Sequence, residues 1–154
     1  MLFLVFELGK DRYAIEASQV VEILHQVNFK QIPRAPAGVA GILDYHGAPV
    51  PLIDLSELAL GRPSRKWMST RIILVKYLAI ADERRLLGLL AEQATETLRR
   101  GEEDFSGTGL EVSGAPYLGP VTADAEGIVQ RIEIQRLLSE ELRSQLFGER
   151  AGRT

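Results

Sequence analysis

Asp44 and His46 stand two residues apart in the run Leu43-Asp44-Tyr45-His46-Gly47, a spacing that puts both side chains on one face of a strand. With His25 they would supply the two imidazoles and one carboxylate of a metal site. Nothing in the sequence brings His25 to them. The chain has 154 residues, two histidines and no cysteine. That excludes three-histidine and thiolate zinc centres, a thiol nucleophile and a disulfide scaffold. No serine lies in a nucleophile-elbow pattern, and no phosphate-cradling glycine loop is present. Arg62 and Arg65 offer half of a cyclic-dinucleotide loop, but the Asp-x-Ser-x-x-Gly strand that should follow is absent. These residues therefore point away from catalysis, and we expect a non-enzyme with no cofactor and no metal.

Composition narrows the partners. Eighteen basic residues are scattered among 21 acidic ones, for a net charge of −3 and a pI near 5.5. A nucleic-acid binder would carry a basic face, so none is expected. Apolar residues make up 45% and charged residues 25%, as in an ordinary globular domain. The N-terminal MLFLVFELGKDRY lacks the positive start of a signal peptide. No apolar run approaches the ~20 residues of a membrane span. The expectation is a cytoplasmic protein with no direct membrane insertion.

Short apolar runs bounded by Gly, Pro or charge predict strands at Leu2 to Leu8, Arg12 to Ile15, Val20 to His25, Val39 to Tyr45 and Val50 to Ile53. A turn at His46-Gly47-Ala48-Pro49 joins the last two. A short helix follows, capped by Asp54 or Ser56. GRPSRKW reads as a linker. Arg71 to Leu78, Arg85 to Ala91 and Thr95 to Arg99 resume the strand pattern. Gly101 to Gly114 reads as a mobile loop. Tyr117 to Ala123 and Ile128 to Ile132 are the last strands, and Ile134 to Leu146 has helical spacing. The tail GERAGRT is expected to fray.

A weak repeat organises these elements. Tyr13 to Glu22 aligns with Leu87 to Glu96 at an offset of 74, and Val50 to Leu58 aligns with Val129 to Leu137 at an offset of 79. The halves, roughly 1–62 and 70–138, predict two small barrels of about five strands. Each is too small for a core of its own, so they should share one.

The segment IPRAPAGVAGILDYHGAPVPLIDL resembles the CheW family, the coupling proteins of bacterial chemotaxis arrays. Upstream, FELGKDRYAIEASQVVEIL resembles the family's opening hairpin and its Val-x-Glu-Ile strand. Downstream, YLGPVTADAEGIVQRIEIQRLL resembles its closing strands and helix. The resemblance implies an all-β fold of two SH3-like barrels with short helices and a C-terminal helix, the family domain covering 1–140. It implies a scaffold with two partners: the regulatory domain of a CheA-type histidine kinase, and a chemoreceptor's helical hairpin tip in an apolar groove between the barrels. Val20, Glu22, Gly41, Tyr45 and His46 are the implied partner-binding residues. His46 stands where the family has an arginine implicated in receptor contact. It should mark a receptor surface separate from the kinase surface. The Tyr-His-Gly turn is also similar to couplers that feed a diguanylate cyclase. A different class stays open on the residues alone, a small β-barrel that senses a nucleotide.

Overall fold

A computed structural model describes residues 1–25, 28–65 and 70–148. The alternating runs become β1 (Leu2–Leu8), β2 (Asp11–Glu16), β3 (Val20–His25), β4 (Val39–Tyr45), β5 (Ala48–Asp54), β6 (Arg71–Leu78), β7 (Arg84–Arg99), β8 (Leu118–Asp124) and β9 (Gly127–Ile132). Two short helices, α1 (Leu55–Leu60) and α2 (Glu140–Phe147), complete a mostly β structure. Asp54 caps α1, its carboxylate accepting from the amides of Ser56 at 3.1 Å and Glu57 at 3.3 Å. Gly61, left-handed at φ 77°, ends it.

Strand pairing shows how the repeat is used. In the first sheet the order is β3-β6-β7-β5-β4, and in the second it is β7-β1-β2-β9-β8. Both follow one scheme: two antiparallel ladders, one parallel ladder and one antiparallel hairpin. The registers coincide under the sequence offsets. Glu22 lies opposite Leu74 as Glu96 lies opposite Val5. Gly88 lies opposite Leu52 as Ala14 lies opposite Arg131. Each sheet therefore borrows a hairpin from the other half of the chain. The β1-β2 pair completes the second sheet, and β6 with the start of β7 completes the first.

This exchange explains the long apolar runs. A strand buried on one face alternates, whereas one buried on both faces reads as continuously apolar. On β1, Leu4, Phe6 and Leu8 enter the large core between the sheets, while Phe3 and Val5 line the inside of the second sheet. On β6, Ile73, Val75 and Tyr77 join the large core, while Ile72 and Leu74 line the first sheet. One core thus draws on both sheets, and α2 seals it with Leu142 and Phe147.

Several expectations are corrected. The two strands expected at Arg85 to Ala91 and Thr95 to Arg99 are one strand, β7, that serves both sheets. It passes between them through Gln93 at φ 51°, opposite a register shift between Val5 and Glu7. Ile134 to Leu146 is not one helix. Residues Ile134–Arg136 form a 3-10 turn, and Ser139 breaks the run by accepting from the Leu142 amide to start α2. In the expected mobile loop, Glu102–Asp104 form a 3-10 turn and Ser106 bridges to Val121. Backbone pairing does not close either sheet into a barrel, since among the described residues no ladder joins β3 to β4 or β7 to β8. Residues 66–69 of the linker and 149–154 of the tail lie outside the described residues.

Candidate functional site

The β4-β5 hairpin pairs Tyr45 with Ala48, so its loop is only His46-Gly47. Both sit at positive φ, 53° and 87°, the mirror-image turn whose twist suits a hairpin. Ala48 and Pro49 already belong to β5, and His46 is in the turn, not on the strand face of Asp44. The Asp44 carboxylate accepts from the Gly47 amide at 2.8 Å and so holds the turn. Among the described residues no group of three His, Asp or Glu side chains could hold a metal ion.

Tyr45 links the expected residues. Its ring packs on the first sheet's inner cluster of Leu43, Val50, Leu52, Ile72 and Leu74. Its hydroxyl reaches across to β3 and donates to Glu22 Oε1 at 2.5 Å. Its ring edge meets the imidazole of His46, with centroids 4.4 Å apart. The first sheet therefore curls until its two outer strands meet in a side-chain seam. Accepting this bond, Glu22 pushes the phenol's pKa above its ordinary value, and desolvation and the carboxylate's charge act in the same direction. Glu22 and His46 are exposed. They lie in one patch, joined through Tyr45.

Gly41 and Val20 sit differently. Gly41 is buried where residues 28–30 cross β4, and the backbones of Lys30 and Ile42 exchange hydrogen bonds of 2.8 Å. A methyl group on Gly41 would overlap the Lys30 carbonyl oxygen and crowd Phe29. The close approach that needs a glycine is thus made by the chain itself. It leaves an apolar recess of about 460 Å³ walled by Phe29, Lys30, Ile42, Asp44 and Pro49. Val20 is half-buried against the large core. Its neighbour Val21, 43% exposed, faces out instead, because the register shifts between Val20 and Glu22. Sequence reasoning missed Val21 and the recess. The Lys30–Ile42 approach has no local signal beyond Gly41 itself.

The place in the second sheet equivalent to the Glu22–Tyr45 seam is built from charges. Under the offsets, Glu96 matches Glu22, Asp124 matches Tyr45, and Arg12 matches Leu86. Arg12, with its side chain 12% exposed, donates to both oxygens of Asp124 at 2.7 and 2.9 Å and lies 3.7 Å from Glu96. The paired guanidinium and the Glu126 amide hold the Asp124 carboxyl down at about 2. The Arg62–Arg65 segment is held by hydroxyl and backbone contacts. The Ser64 hydroxyl, between Arg62 and Arg65, donates to Asp54 at 2.6 Å, and the Arg65 amide donates to the buried Glu92. No described helix is long and apolar enough to cross a membrane.

With this geometry in place, comparison with known proteins is informative. Residues 2–142 match the family model of the CheW-like domain. The chain is 26% identical over 103 residues to the chemotaxis protein CheW of Helicobacter pylori, covering 67% of this chain and 59% of that relative. It is 24% identical over 145 residues to the chemotaxis protein CheW of Klebsiella aerogenes, covering 90% of this chain and 82% of that one. The crystal structure of the scaffolding protein TtCheW from Thermoanaerobacter tengcongensis superposes with a TM-score of 0.77 at 21% identity, over 90% of this chain and 87% of that one. The family match spans nearly the whole length of both interlocked sheets, and the chain belongs to the CheW-like domain family.

Proposed function

We propose that this protein is a non-catalytic scaffold that couples a chemoreceptor to a CheA-type histidine kinase in a chemosensory array. Membership of the CheW-like domain family is the observation that carries this reading. The fold suits it. A shared core between two interlocked sheets gives a rigid body with faces on both sides, and such an adaptor raises the local concentration of one partner near the other without chemistry of its own.

We assign the patch of Glu22, Tyr45 and His46, with Val20 and the Gly41 crossing beneath it, to partner binding, with His46 on the receptor's side. Val20 and Gly41 act there through shape, the first by seating β3 and the second by admitting Phe29 and Lys30 against β4. The receptor's helical hairpin tip is assigned to the groove between the sheets, each curled like an SH3 barrel. A helix laying an apolar face into a groove is a common recognition mode. The scaffold would work in the cytoplasm, recruited to membrane-anchored receptors, and its output would be a flagellar or a diguanylate cyclase pathway.

Binding assays test the assignment. Purified protein should bind the regulatory domain of its cognate kinase and the soluble signalling hairpin of its receptor. Glu22→Lys should weaken partner binding, and His46→Arg should weaken binding of the receptor hairpin and leave kinase binding nearly unchanged. Receptor affinity unaltered by His46→Arg would take the turn off the receptor surface. Binding to neither partner by the unaltered protein would end the adaptor reading.

A further inference from the structure

Arg34 is an exposed residue whose backbone lies in the left-handed region, at φ 61°. It is the third residue of a turn from Ile32 to Ala35, closed by the Ala35 amide donating to the Ile32 carbonyl at 3.2 Å. With Pro33 in the second place, a left-handed third residue makes this the turn that glycine or asparagine fills with little strain. A long side chain is strained there. The matching turn of the other half, Val112 to Ala115, has the same closure at 2.9 Å and carries Gly114 in the third place. Gly114 stays outside the left-handed region, so the scheme common to the two halves does not demand strain at this point.

The arginine side chain gives the fold nothing in exchange. Among the described residues its guanidinium makes no hydrogen bond and no ion pair. Its mount, by contrast, is rigid. Ala35 and Val39 pack on the large core between the sheets. The Val39 amide donates to the Pro36 carbonyl at 3.1 Å, and the Asp54 amide to the Gly38 carbonyl at 2.8 Å. Gly38 lies so close to Leu58 of α1 that a methyl group there would overlap it. Pro33 and Pro36 remove further backbone freedom. A free cation is therefore carried on a fixed, strained backbone at the margin of the core that joins the sheets. Strain of this kind persists where a residue is held ready for a ligand.

We propose that Arg34 is a pre-set anion-recognition residue, which holds a carboxylate of the partner that docks in the groove between the sheets. The identity of that partner, the receptor hairpin, rests on the adaptor reading. A guanidinium grips a carboxylate through two parallel hydrogen bonds, a geometry that an ammonium cannot copy. A backbone already fixed loses little freedom on binding, so the strain held in the free protein serves affinity.

Thermal melting and titration calorimetry of the receptor's soluble signalling hairpin, at low and at high salt, test this together. Arg34→Gly should raise the melting midpoint by about 2–4 °C, because strain is relieved. The same variant should bind the hairpin about tenfold more weakly, and its remaining affinity should depend less on salt. Arg34→Lys should recover only part of the affinity. Both variants should bind the kinase regulatory domain as the unaltered protein does. A residue needed only for the fold moves the midpoint the other way, so a midpoint that does not rise in Arg34→Gly overturns the proposal. Unchanged hairpin affinity in Arg34→Gly overturns it too, as does a loss confined to the kinase. Absence of hairpin binding by the unaltered protein overturns the adaptor reading instead, and that control tells the two failures apart.

Discussion

Leu52, Leu86 and Leu90 of the first sheet stand where Arg131, Arg12 and Glu16 stand in the second. The strand order, ladder types and even the register shifts are shared, yet one interior is apolar and the other is partly ionic. In the first sheet these leucines pack with Leu43, Val50, Ile72 and Leu74. In the second the apolar interior shrinks to Phe3, Val5, Ala14 and Val129, flanked by Leu98 and Phe105. Arg131 covers it, its guanidinium 5.2 Å from the Phe3 ring and 5.6 Å from the Phe105 ring, paired with Glu16 and with Glu102 at 2.9 Å. A pleated frame therefore does not dictate its filling. What it demands is that each position be filled and each charge be answered.

The sharpest break of this comparison is to separate the chain halves. Because each sheet borrows a hairpin, a chain cut between residues 62 and 70 should leave both fragments unfolded alone. An equimolar mixture should regain the far-ultraviolet signal and a cooperative melt. A fragment that melts cooperatively by itself would show that one half can build its own sheet.

Next in size is Gly41→Ala. Its methyl would drive the Lys30 backbone off β4, and the cost should be about 2–3 kcal/mol, as for overpacking, read as a lower denaturant midpoint. The second sheet carries Pro120 at the matching position, so the demand for a bare backbone belongs to the first sheet alone.

Charge filling gives the third test. Arg131→Leu alone should destabilise by about 1–2 kcal/mol, because it strands Glu16. Adding Glu16→Leu should recover most of the loss, since the pair then copies Leu52 and Leu90. A double variant as unstable as the single would mean the ionic filling is required for shape.

Acid separates the sheets more gently. The Asp124 pKa lies near 2 in the folded protein against an ordinary 3.8, with its hydrogen bond from Arg12 as the main cause. A lowered folded pKa contributes stability above the ordinary value, and that contribution is lost as pH falls from about 4 to about 2. The midpoint difference between wild type and Asp124→Asn should be full at neutral pH and vanish near pH 2. Smallest of all is Tyr45→Phe, whose exposed hydroxyl should leave the denaturant midpoint almost unchanged.

The elements were legible because their signals are local. Alternation marked β3, β4 and β6 to the residue, and the Asp54 cap was readable beside its helix. The repeat offsets also gave the correct pairing of equivalent positions. What the sequence hid is non-local. Nothing near Tyr13 announces a parallel partner at Gln130, and nothing in either half signals that the hairpins change places. Tyr45 and Glu22 are 23 residues apart and meet only because the first sheet curls. One missed signal was available. An arginine in a repeat position held elsewhere by leucine, as at Arg12 and Leu86, marks a site where burial and charge must be reconciled. The division of Ile134 to Leu146 was likewise written in Ser139 followed by two glutamates, a helix start inside an apolar run.

The parallel pairing of β2 with β9 has a consequence for the order in which the molecule is born. On the ribosome the first sheet has all its strands once the chain has been made through residue 91, whereas β1 and β2 wait for residues up to 132 before their own sheet can close. At roughly 5–20 residues per second the delay is a few seconds. For that interval the β1-β2 hairpin, whose first strand is apolar at six of seven positions, is committed on one face and bare on the other, in a topology whose long-range contacts form slowly in any case.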